Sequence, residues 1–90
     1  MFSIFSKWLE RRRELRRLCR DDARQLVERD PLTAYYDAQR AAAQARFAGD
    51  GGAFLYWARV AAEVARISQA PMNFETVKSI VDEEERRARS

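Results

Sequence analysis

Residues that break a helix occur at only three places in this chain: the pair Asp30-Pro31, the run Gly49-Asp50-Gly51-Gly52, and Pro71. Three glycines and two prolines are all that its 90 residues contain, whereas alanine and arginine supply 15 each. Alanine and the long unbranched side chains are the best helix formers, so the stretches between the breaks have little alternative to helix. An aspartate before a proline reads as an N-cap followed by proline at the first helical position, which ends one helix near Arg29 and starts another at residue 31. The glycine-aspartate run is a helix stop and a turn, with Asp50 placed to cap the next helix. Pro71 closes the third segment, and Asn73 is suited to cap a fourth. Helices are therefore expected near residues 4–29, 31–48, 53–69 and 74–87, with the tail from residue 86 to 90 fraying.

Placing residues at about 100° per step shows what each segment has to bury. On the first, Trp8, Leu15, Cys19 and Leu26 align, with Leu18 and Ala23 at the edges and Asp22 beside the stripe. The second carries Ala34, Ala38, Ala41, Ala42 and Ala45 on one side, small enough to let another helix approach closely. The third is apolar over most of its circumference, with Trp57 amid Ala53, Val60, Ala61, Val64 and Ile67, which predicts a central helix with Trp57 at its heart. Phe74, Val77 and Val81 recur at helical spacing on the fourth. The expected fold is all-α: one domain over residues 1–90, a small three-helix bundle with a short C-terminal fourth helix, and residues 1–7 as an interaction arm.

Chemistry finds few reagents here. The chain has no histidine and a single cysteine, so neither an intramolecular disulfide nor the usual zinc ligand set can form, and no metal or cofactor is expected. Cys19 lies in an apolar stripe between Leu15 and Leu26, where a cysteine behaves as a small hydrophobe. Asp21-Asp22 and the acidic run from Asp82 to Glu85 read as solvated helix faces. The glycine run lacks the lysine and the preceding strand of a phosphate loop. These absences predict a non-catalytic protein. A lone cysteine and the lack of a secretory leader point to a reducing cytoplasm, and no stretch approaches the roughly 20 apolar residues of a spanning helix.

What remains is surface. The formal charge is +3, and it is concentrated at the start: residues 1–29 hold nine basic against five acidic side chains. The excess of arginine over lysine, with so much alanine, is also what a GC-rich bacterial gene produces without selection on function. Arg13, Arg17, Arg20 and Arg24 form one stripe that offers anion contacts, yet Glu10, Glu14, Asp21 and Glu28 stand beside it at pairing distance along a helix. That stripe reads as a largely self-paired face, with weak nucleic-acid binding as an alternative. Phe2, Phe5 and Trp8 form an aromatic arc just ahead of the arginines, suited to a protein partner or, alternatively, to a membrane surface. Tyr36, Arg40 and Phe47 form a second candidate interface, of the residue types enriched where proteins meet, unless the fourth helix covers them. The expected function is a small helical protein–protein interaction module, a homodimer or the accessory subunit of a larger complex.

Overall fold

The computed structural model describes residues 2–90, with every side chain except those of Phe2, Ser3 and Phe5. It contains four helices and, among the described residues, no strand: α1 (Phe2–Arg29), α2 (Ala34–Phe47), α3 (Gly51–Ile67) and α4 (Phe74–Arg89). The all-α class is as the sequence implies.

Each break works through identifiable hydrogen bonds. At the first, Asp30 closes α1 by donating its N–H to the Leu26 carbonyl, and its side chain accepts the Leu32 N–H at 3.0 Å. Pro31 therefore sits in a turn, and α2 starts at Ala34, three residues later than expected. At the second, Gly49 adopts a left-handed φ of 79°, with its N–H bonded to the Arg46 carbonyl and the Asp50 N–H to the Ala45 carbonyl. This is the paired closure of a Schellman motif, and a side chain at residue 49 would strain it. Asp50 then caps α3 by accepting the Ala53 N–H at 3.0 Å. At the third, Asn73 caps α4 through the Glu75 N–H and donates its own N–H to the Tyr36 hydroxyl at 2.8 Å, tying the start of α4 to α2.

The core is built from small side chains. Ala23, Ala34 and Ala38 are fully buried together with Val60 and Val64, and Cys19 and Ala61 complete the cluster. Val60 and Val64 are the largest side chains to be wholly enclosed. The expected central residue, Trp57, is only partly buried and packs at the margin, edge-on to Tyr56 with ring centres 5.4 Å apart. Alanines on the facing helices leave too narrow a gap for an indole, so the bulky aromatics surround the core and do not fill it.

Three further expectations change with the packing. The helix that lies against all the others is α2, not α3; α1 packs mainly on α3, and α4 rests on α2 alone. The fourth helix is not short, since its 16 residues exceed the 14 of α2, and it continues to Arg89 because Glu85 pairs with Arg89 and Glu83 with Arg87 one turn apart. Its inward face is Ile80 and Glu84, with Val77 and Val81 half-buried, whereas Phe74 is 79% exposed. On α1, the first buried side chain among the described residues is Cys19. At 1.5 Å per residue α1 is about 42 Å long against about 21 Å for α2, so its first half outruns the core, and the expected core positions Trp8, Leu15 and Leu18 are exposed.

A core of alanines tolerates no added volume. Ala38→Leu is expected to lower unfolding free energy by about 1–3 kcal/mol or more, whereas Phe74→Ser should change it by less than about 0.5 kcal/mol. Urea denaturation followed by circular dichroism measures both; equal effects would show that the close helix approach does not govern stability.

Candidate functional site

The two surfaces anticipated from sequence have different fates. Tyr36, Arg40 and Phe47 are all half-buried, and α4 engages them within the chain. Tyr36 accepts the Asn73 N–H, and Phe47 lines a shallow depression with Glu84, Arg87 and Ala88. Arg40 is forked between two acids of α4, reaching Glu84 at 2.6 Å and Glu83 at 3.3 Å, and Arg87 grips the same pair at 3.1 and 2.6 Å. Glu84 is buried, so this four-membered clasp is what makes its charge tolerable. The hydrogen bonds it donates to the Glu83 and Glu84 carboxylates push the Arg40 guanidinium above its ordinary range, and the bond from Arg40 holds the Glu83 carboxyl below its own.

The N-terminal surface stays open. The side chains of Phe2 and Phe5 lie outside the described residues, but the arc continues on α1 through Ile4, 79% exposed, Trp8, 51%, and Leu15, 44%. Placed around the helix, these residues are in phase with Cys19 and Leu26, which farther along α1 pack on the core. One face of α1 is thus covered by the bundle in its second half and uncovered in its first. The Arg12 guanidinium lies 5.0 Å from the centre of the Trp8 ring, adding a cation to this apolar face.

Where the face meets the bundle, α1 and α3 enclose a groove of about 430 Å³. Leu15, Cys19, Leu55 and Tyr56 supply its apolar lining; Arg16, Arg20, Arg59 and Glu63 supply the charges. Leu55 is 57% exposed there. Gly52 leaves part of the wall without a side chain, and a Cβ built on it would meet only the Asp50 carboxylate, at 3.7 Å. Tyr56 donates its hydroxyl to Asp22, fixing α3 to α1 just below the groove. Burial, and then this hydrogen bond, push the Tyr56 phenol well above its ordinary range. The Cys19 thiol is also pushed up, first by burial and then by the charges of Glu63 and Asp22. It is therefore kept as a thiol at neutral pH and contributes apolar contact to the groove.

Along the arginine stripe the pairing is incomplete. Arg17 bonds to Glu14 at 2.7 Å, as the spacing allows, and Arg24 bonds to Asp21 at 3.3 Å and not to Glu28. Arg13 and Arg20 make no ion pair among the described residues. Among those residues, too, no three acidic or cysteine side chains converge as a metal-ligand set, and no helix is long and apolar enough to cross a membrane.

No family model matches this chain, and neither curated proteins nor solved structures provide a match. Its function must therefore be read from geometry. Two features escape the sequence reading. The buried Glu84 has a signal, since Arg40 directly precedes the alanines Ala41, Ala42 and Ala43 of α2 and implies an acid opposite. The groove has none, because it depends on how far α1 and α3 diverge.

The clasp can be tested by titration. Since the folded Glu83 carboxyl ionises at lower pH than the unfolded one, its stabilisation is complete above the ordinary glutamate value of about 4.3 and is lost as pH falls through the lower folded value. Loss of α4 docking in that acid window, seen as a shift of the Ile80 methyl resonance, is the expected outcome. At neutral pH, Arg40→Met should destabilise the protein by about 1–3 kcal/mol, because the buried Glu84 then keeps only Arg87. An unchanged melting temperature would show that the clasp is not structural.

Proposed function

We propose that this chain is a small, non-catalytic helical interaction module of the reducing cytoplasm that binds a protein partner through the first half of α1 and the groove beside it. We read α1, α2 and α3 as a three-helix unit, with α4 added on the outer side of α2. The observation that carries the functional reading is the continuity of a single helix face. Cys19 and Leu26 use that face to pack on the core, and Ile4, Trp8 and Leu15 extend it into solvent. Isolated exposed apolar residues are commonplace, but a row of them in phase over several turns, leading into an apolar groove, is the form of an interface.

A second reading, attachment to an anionic membrane surface, is favoured by one feature: Ile4 and Trp8 have Lys7, Arg11 and Arg12 for neighbours, the composition of an interfacial helix. Nucleic-acid binding has less support, because Glu10 and Glu14 share the surface of Arg13 and Arg17 and Glu14 already holds Arg17.

The double change Ile4→Ser with Leu15→Ser discriminates. Neither side chain is buried, so stability should move by less than about 1 kcal/mol, while retention of a stoichiometric partner, measured as the mass of the complex isolated from native cells, should fall strongly. Loss of vesicle flotation with the complex intact would support the membrane reading instead, and a change in neither would refute both.

A further inference from the structure

We infer that the groove between α1 and α3 receives an acidic amphipathic helix of a different protein. The inference rests on the interaction reading above and adds the chemistry of the partner. The groove lining is apolar at Leu15, Cys19, Leu55 and Tyr56, and its volume of about 430 Å³ offers room for apolar side chains of a docked helix. Around it stand Arg16, Arg20 and Arg59, none of which makes an ion pair among the described residues. Glu63, the one carboxylate among the lining residues, is held by Arg66. The charged side chains of the lining are thus predominantly basic.

The same sign continues along α1. The open face is flanked by Arg11, Arg12 and Arg16, whereas Glu10 and Glu14 fall on the far side of the helix at about 100° per residue. A ligand lying on the first half of this face meets apolar side chains, an indole and guanidinium groups, and the α1 carboxylate farther along it, Asp22, is engaged by the Tyr56 hydroxyl.

This charge pattern selects the occupant. A second copy of the chain would bring Arg11, Arg12 and Arg16 against its own equivalents, a like-charge juxtaposition that disfavours pairing. The acidic run of α4 is also largely engaged within the chain: Glu83 and Glu84 are held by Arg40 and Arg87, and Glu85 by Arg89, which leaves only Asp82 of that run outside an ion pair among the described residues. A nucleic-acid backbone would satisfy the arginines and leave Leu15 and Leu55 against water. A bilayer is planar and does not enter a concave site. A helix with apolar residues at i, i+4 and i+7 bordered by aspartate or glutamate matches both the lining and the rim, and arginine can engage those carboxylates through two parallel hydrogen bonds.

The test uses the full chain and fluorescently labelled synthetic peptides of about 18 residues, long enough for five turns. One carries leucines at i, i+4, i+7 and i+11 bordered by glutamates; a second replaces every glutamate by lysine; a third scrambles the first. Anisotropy titration should show the acidic amphipathic peptide binding at least about tenfold more tightly than either control. Leu55→Ser should weaken that binding, and Arg16→Glu with Arg59→Glu should reverse the preference in favour of the lysine peptide. Both changes are at exposed positions, and circular dichroism verifies the fold. Equal binding of acidic and basic peptides, or indifference to Leu55→Ser, overturns the proposal. So does a parent protein that is dimeric without peptide and becomes monomeric on Leu55→Ser, which would assign the groove to a second copy. If the peptides fail while Ile4→Ser with Leu15→Ser still releases a partner, the interaction reading survives and only the acidic-helix occupant falls.

Discussion

Close approach of α1, α2 and α3 over alanine is the constraint on which the rest of this structure depends. Ala23 of α1, Ala34 and Ala38 of α2, and Ala61 of α3 are buried around Val60 and Val64. Small side chains bring helix axes together and give many dispersion contacts, but they bury little apolar area per residue. The aromatic side chains therefore have no room inside. Trp57, Tyr56 and Tyr35 form a partly buried shell, and their polar atoms are met there: Tyr56 by Asp22 and Tyr35 by Gln39. Asp22, which the sequence places on a solvated face, is instead half-buried and is the acceptor that lets Tyr56 be half-buried without an unsatisfied hydroxyl.

The second consequence of a narrow core is that α4 finds no place in it. It contacts α2 alone, and its buried residues are Ile80 and Glu84. An apolar residue at 84 would have avoided the desolvation of a carboxylate. What the acid adds is register: Arg40 can fork between Glu83 and Glu84 in only one placement of α4 along α2. Hydrophobic contact draws the helix down, and the ion pairs fix where it stops.

The sequence was legible where local rules decide. The helix breaks at Asp30-Pro31, Gly49 and Pro71, the capping by Asp50 and Asn73, and the close-packing face of α2 follow from short-range stereochemistry. It was less legible wherever relative helix length or tilt decides. Periodicity places Trp8, Leu15, Cys19 and Leu26 on one face, but it does not say that only the last two pack on the core. It likewise places Phe74 with Val77 and Val81, yet a small rotation of α4 turns Phe74 outward and Glu84 inward. For the candidate site, the arc on α1 was readable and its extension into a groove was not, since Leu55 and Gly52 belong to a different helix and carry no mark in sequence.

The length of α1 connects this packing to function. Among the described residues, its first four turns have no buried side chain to stabilise them, and a solitary helical segment of that size is marginal in water. Good helix formers and the Glu14–Arg17 pair offer some tenths of a kcal/mol each. A partner that lays a second helix on the open face would supply the missing tertiary contacts, so its binding and the helicity of this segment are thermodynamically linked. The shortness of α2 and α3 is what makes the linkage available: had they matched α1 in length, Ile4, Trp8 and Leu15 would be core residues and the chain would have no such face to offer.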